Sequence, residues 1–300
     1  MRLKHVLIII FIATMAIGIA LRKRKESPHT ISPTLPSDFR PRPEAPSTAT
    51  CSQAYRRFYD KAIVEWRVVF GYKDARPNRF VGDRYERNTL IAYLLAPCPP
   101  DFFACSFQRN LTDTDLFTKE ITGPDRKRHV IHLRVIHSSA GPDDDANRVD
   151  GFQTWRSENA KKEFLEGLKS ADAIFYNGHS RNGGGPDFSP PLLLKNHHVD
   201  YSAYHRAQPG LSSVLKMLDA KEHRAKLLGL FSCASDRHFL APIQKADKKL
   251  AVISSRKLLF HADAMKALLA TLSSLIGQTC ETEFNGRLGD SHVTGFFSVP

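Results

Sequence analysis

Two short apolar runs each end abruptly in a side chain able to do chemistry: Ala173-Ile-Phe-Tyr-Asn-Gly-His179-Ser180 and Leu227-Leu-Gly-Leu-Phe-Ser-Cys233. An imidazole and a thiol brought together support acyl transfer. The histidine takes the thiol proton or protonates a departing amine, and the sulfur attacks a carbonyl. Runs of this length, closed by Gly or small polar residues, predict buried parallel strands. In an open α/β sheet, ligands collect just beyond the carboxyl ends of such strands, where both residues would stand. The two residues are 54 positions apart, which leaves room for a loop, the helix-like segment Leu211-Ser-Ser-Val-Leu-Lys-Met-Leu218 and a return to the sheet. That is one right-handed crossover, and it sets the two strands side by side or nearly so.

Other residues near these runs have competing uses. Gly178-His179-Ser180-Arg181-Asn182 resembles the nucleophile elbow of an α/β-hydrolase, in which Ser180 would attack an ester or amide. The elbow needs Gly where Asn182 stands and a helix directly after it, whereas Gly183-Gly-Gly-Pro186 and Pro190-Pro191 follow. The same glycines lack the Lys-Ser/Thr ending of a phosphate cradle. Asp143, Asp144 and Asp145 offer a Ca²⁺ site, a subsite for a basic side chain, or a solvated turn, and Asp187 has the same alternatives. Arg256 is placed to favour an acidic substrate residue, with plain solvation as its alternative. His197, His198 and His205 lack a second compact ligand pair, so no zinc site is expected.

The elements that must position these groups are strands near 129–137, 172–177, 227–232 and 250–255, with helices near 157–170, 210–224 and 260–276. His129–Ile136 reads as the first strand of an α/β core, and Val293–Val299 as an edge strand. Upstream, Tyr55, Phe58, Tyr59, Ala62, Ile63 and Trp66 recur at helical spacing and predict one amphipathic helix. Candidate strands lie at Phe102–Phe107 and Asp115–Ile121. Residues 51–127 would form an accessory subdomain and 128–300 the α/β domain.

A strand ending in Asn-Gly-His179 and, after a crossover, a strand ending in Ser-Cys233 resemble the caspase, gingipain and clostripain superfamily of cysteine peptidases, over about residues 128–277. A caspase-type His precedes its Cys by about 50 residues. After Cys233 the order also continues as in gingipain-like enzymes: a short helix over Phe239–Ala246, a strand over Leu250–Ser255 and a long amphipathic helix. The resemblance implies a three-layer α/β sandwich with a mostly parallel sheet, and a His179–Cys233 dyad cleaving protein or peptide substrates. It requires no metal and no cofactor. Gly178 and Ser180 would flank the oxyanion, with Asp187, Arg256 and Asp143 as substrate-binding candidates. That superfamily normally has Gly after the His, where this chain has Ser180, and Gln-Ala or Asp-Ala before the Cys, where it has Phe231-Ser232. Side-chain bulk beside the oxyanion keeps a second reading open, a caspase-like protein that binds peptides without cutting them.

Composition frames the rest. A 300-residue chain with 42% hydrophobic residues can bury a sizeable core. Its net charge of +12 includes +5 in residues 1–50, and no basic helix with interleaved aromatics appears, so no nucleic-acid partner is expected. Residues 6–21 are apolar or small, flanked by Arg2 and Lys4 before and Arg22-Lys-Arg-Lys25 after. This reads as a signal anchor holding the body outside the cytoplasm, or as a signal peptide cleaved near Gly18-Ile19-Ala20 to release a secreted protein. Residues 22–50, with six prolines, read as a tether. Setting Cys233 aside leaves Cys98 with Cys105 and Cys51 with Cys280, either as disulfides in an oxidising compartment or as buried thiols in a reducing one.

Overall fold

The computed structural model describes residues 49–73, 82–219 and 223–297, all in one compact unit. The predicted anchor at residues 6–21 and nearly all of the tether lie outside the described residues. Among the described residues, no helix is long and apolar enough to cross a membrane.

Helix α1 (Ala49–Phe58) leads into strand β1 (Ile63–Phe70). This corrects the helix expected through Trp66. The helical spacing is real over Tyr55, Phe58 and Tyr59, but β-branched Ile63, Val64, Val68 and Val69 favour extended backbone, and period 2 takes over. Strand β1 pairs in parallel with β4 (Arg128–His137) on one side and β5 (Ala173–Asn177) on the other. It is therefore a central strand, ahead of β4 in the chain, and residues 51–127 are built into the sheet that they were expected to accompany.

The remaining strands are β2 (Gln108–Arg109), β3 (Leu116–Thr122), β6 (Leu227–Phe231), β7 (Ala251–Ser255) and β8 (Ser291–Thr294). They complete an 8-stranded sheet of order β2-β3-β4-β1-β5-β6-β7-β8, parallel from β4 to β7 and antiparallel at both edges. Strands β5, β6 and β7 are buried on both faces, as near-continuous apolar sequences require.

Helices α2 (Asp83–Leu95), α8 (His261–Ile276) and α9 (Glu281–Leu288) join α1 over one face, against Trp66, Val68, Phe175 and Ile253. The other face, with Val69, Ile174, Tyr176 and Leu228, is covered by α4 (Gln153–Ser170), α6 (Pro209–Asp219) and α7 (Ala241–Ala246). Short helices α3 (Asp144–Val149) and α5 (Tyr201–Ala207) lie in connections. The fold is thus α/β, with a mixed, mostly parallel sheet between helical layers.

Phe102–Phe107 is not a strand. The Ser106 and Phe107 N–H groups donate to Ala96 O and Leu94 O at the end of α2, so this segment caps a helix instead of extending the sheet. Both expected cysteine pairs are disulfides, Cys51–Cys280 and Cys98–Cys105, leaving Cys233 free. The first ties α1 to the start of α9 across 229 positions. At the far edge β8 ends at Thr294, short of the predicted Val299. Phe296 and Phe297 then turn into the core against Tyr55 and Phe284.

Candidate active site

Strands β5 and β6 are neighbours, with Asn177 opposite Phe231 as the last register pair. His179 and Cys233 therefore stand two residues beyond the same rung, and the Gly178 N–H still donates to Phe231 O at 3.3 Å. Both residues line one cavity of about 410 Å³, together with Ser180, Tyr201, His238 and Leu258. The Cys233 thiol is partly exposed, with its Sγ 3.5 Å from Leu259 O. Ala234 follows at φ 46°, a left-handed conformation costing a non-glycine residue about 1 kcal/mol, and its N–H is held by Lys257 O at 2.8 Å. The sharp turn ends β6 abruptly and leaves the cysteine at its mouth. Among the described residues, neither the Cys233 nor the Ser180 backbone N–H has a hydrogen-bond acceptor. Two residues that line the cavity thus carry unpaired backbone donors.

Burial pushes the His179 imidazole well below its ordinary pKa, and the nearby cations Arg181 and Lys73, with His261, push the same way. Near pH 7 the ring is neutral. Behind it lies a buried polar group drawn from three other elements. Lys73, just past β1, donates to Glu86 Oε2 at 2.7 Å and Oε1 at 3.0 Å, and to Asn177 Oδ1 at 2.7 Å. Glu86 of α2 also receives His261 Nδ1–H at 2.8 Å. Burial raises the Glu86 pKa, but Lys73 and His261 together overcome it and hold the carboxylate ionised. The His261 ring stands edge-on to the His179 ring, with centroids 6.4 Å apart.

The remaining predicted residues fall in other places. Gly178 is required by space: a Cβ there would lie 2.2 Å from the Tyr176 hydroxyl. Ser180 lines the cavity, yet β5 leads into only a three-residue 3₁₀ turn (Arg181–Gly183), so the strand-to-helix context of a nucleophile elbow is missing. Asp187 does not line the cavity. Its carboxylate receives Arg181 Nε–H at 2.8 Å and the Tyr204 hydroxyl at 3.1 Å, bracing the loop after His179. Asp143 caps α3 by accepting from the Asp145 and Ala146 N–H groups, and it too stands outside the cavity. Arg256 is exposed and turned to His292 Nδ1 (3.0 Å) and Asp236 (3.9 Å). Its neighbour Leu258 reaches the cavity in its place. No group of three or more His, Cys, Asp or Glu side chains among the described residues is arranged to hold a metal ion.

Sequence reasoning missed Lys73, Glu86, His261, Tyr201, His238 and Leu258. For Lys73 and His261 a signal existed, since both closely follow strands whose carboxyl ends form this edge. The Lys73 signal was hidden while Ile63–Phe70 read partly as helix. Compared with family models, curated proteins and solved structures, the chain matches none.

Proposed function

We propose that the protein is a caspase-like cysteine peptidase acting through His179 and Cys233. The carrying observation is the placement of both residues two positions past one register pair of adjacent parallel strands, in a shared cavity whose lining residues Cys233 and Ser180 have unpaired backbone N–H groups. Neutral His179 takes the proton from Cys233 Sγ, and the thiolate attacks the substrate carbonyl carbon. The Cys233 and Ser180 N–H groups then hold the oxygen as it gains negative charge. Imidazolium His179 returns the proton to the departing amine as the C–N bond breaks, leaving a thioester. Water, deprotonated by His179, opens the thioester and restores the thiol.

The test is hydrolysis of a broad peptide library by wild type, Cys233→Ala and Ser180→Gly. The proposal expects the first variant to be inactive and folded, and the second to match or exceed wild type, since Gly supplies the same donor with less bulk. Hydrolysis that survives Cys233→Ala and dies in Ser180→Gly would transfer the nucleophile role to Ser180. If wild type and both variants cleave nothing, the reading to pursue is a caspase-like protein that binds peptides without cutting them. The two disulfides support an oxidising compartment, and residues 6–21 support attachment to a membrane with the domain on its extracytoplasmic side. Full-length protein should stay with membranes through an alkaline wash, and protein starting near Cys51 should not. Recovery of soluble mature protein beginning near Leu21 would show cleavage and secretion instead.

A further inference from the structure

Four polar side chains meet behind His179, and the peptidase steps above use none of them. Lys73 and Glu86 are almost completely buried, with side chains 4% and 5% exposed. Removing either partner of such a pair strands a charge in the interior, so the pair persists only as a unit. Lys73 is held a third time by Asn177, two residues before His179 and on the same strand end. Glu86 spends its remaining capacity on His261 Nδ1. His261 is the first residue of α8, 39% exposed, and its backbone alone leaves the ring free to choose a rotamer. The carboxylate fixes both the ring's orientation and its tautomer, with Nδ1 as donor. His261 does not line the cavity that contains Cys233. Its ring stands edge-on to that of His179, with centroids 6.4 Å apart and an interplanar angle of 77°.

We infer that His261, clamped through Nδ1 by the Glu86–Lys73 ion pair, is a positioning residue that holds the His179 ring in its orientation toward the cavity shared with Cys233. Hydrogen bonds run from the end of β1 through Glu86 of α2 to the start of α8, and the ring they orient faces His179 at the end of β5, 6.4 Å away between centroids. Few other side chains are placed to do this. Arg181, the nearest cation after His179, is committed to Asp187, and His238 lines the cavity beside Gly183. The value of this role to a reaction rests on the peptidase reading; the positioning itself does not.

The experiment therefore has two independent readouts. The first is the ¹⁵N signature of the His179 ring, which reports tautomer and hydrogen bonding, in wild type, His261→Ala and the double variant Lys73→Met/Glu86→Leu. The double variant replaces the whole buried pair with apolar side chains, so neither charge is stranded. His261 is partly exposed at a helix start, and its alanine variant should fold normally. Both variants should shift the His179 ring signals and their tautomer ratio. The second readout is the iodoacetamide alkylation rate of Cys233, expected to fall about tenfold in each variant, as misplacement of a base does. Combining all three substitutions should slow it no further than His261→Ala alone. His179 signals unchanged in His261→Ala would overturn the inference, as would fully additive losses in the combined variant. Failure of the peptidase reading shows separately, as hydrolysis unaffected by Cys233→Ala, and leaves the ring readout standing.

Discussion

Adding one methyl group at Gly178 should damage both the core and the candidate site. An alanine Cβ would sit 2.2 Å from the Tyr176 hydroxyl oxygen, 2.3 Å from Cζ and 2.9 Å from Cε2. Ordinary contact begins near 3.4 Å, so Tyr176 would have to move by about 1 Å. It has nowhere to go. The ring is fully buried, with Phe164 and Phe188 at centroid distances of 5.8 and 5.4 Å. Its hydroxyl donates to His179 O at 2.9 Å and accepts the Asp187 N–H at 2.9 Å, tying together both ends of the loop that carries His179. Overpacking of this kind costs about 1–3 kcal/mol, and each lost hydrogen bond about 1 kcal/mol, so a total of about 3 kcal/mol is expected. For a chain of this size that lowers Tm by about 6–12 °C. Thermal unfolding followed by circular dichroism measures the first effect, and the Cys233 alkylation rate measures the second. A Gly178→Ala protein melting within about 2 °C of wild type, with Cys233 equally reactive, would refute the packing argument.

Other outcomes follow from the same geometry. By loop-closure entropy the Cys51–Cys280 bridge, spanning 229 positions, should stabilise by about 5 kcal/mol and the Cys98–Cys105 bridge, spanning 7, by about 2 kcal/mol. Paired Cys→Ala variants compared by guanidinium unfolding check the order, and equal losses would contradict it. His137, at the end of β4, is held neutral by burial and then by Arg87, Arg156 and Arg84, down to a pKa of about 3. The unfolded chain takes up that proton below about pH 6.5 and the folded one does not, so stability is lost as pH falls from 6.5 toward 3. His137→Leu should recover about 3 kcal/mol of the loss between pH 7 and pH 4.5 in urea melts. Asp83 works in the opposite sense: burial raises its pKa to about 6 against hydrogen bonds from Ser139 and Ser138, so its contribution falls as pH rises through 6. Asp83→Asn should therefore flatten the loss of stability between about pH 4 and pH 6, and an unchanged slope there would argue against it.

His179 and Cys233 were legible because strands buried on both faces are apolar throughout, and the first reactive side chain after each marks its carboxyl end. The right-handed crossover rule then brought the two ends together, as the Asn177–Phe231 register shows. Strand β1 was harder to read. Its alternating Val64, Trp66 and Val68 directly follow a real helical stripe, and Ala62, Ile63 and Trp66 happen to continue that stripe's spacing. Losing β1 concealed Lys73, and with it the reason for a buried carboxylate at Glu86. Arg256 failed as a pocket residue for another reason. Position after a strand specifies the edge of the sheet but not which of several consecutive residues turns inward, and here Leu258 does. Asp143 and Asp187 satisfy local backbone and loop partners, a use of short acidic side chains that composition cannot separate from ligand binding.

The central claim is that Cys233 is a nucleophile served by His179, and native-state alkylation with peptide mapping tests it most directly. Iodoacetamide should label Cys233 alone in the folded protein, with a rate that falls at least about tenfold in His179→Ala while the circular dichroism spectrum stays unchanged. A Cys233 that reacts at the same rate with and without the His179 imidazole would contradict the account.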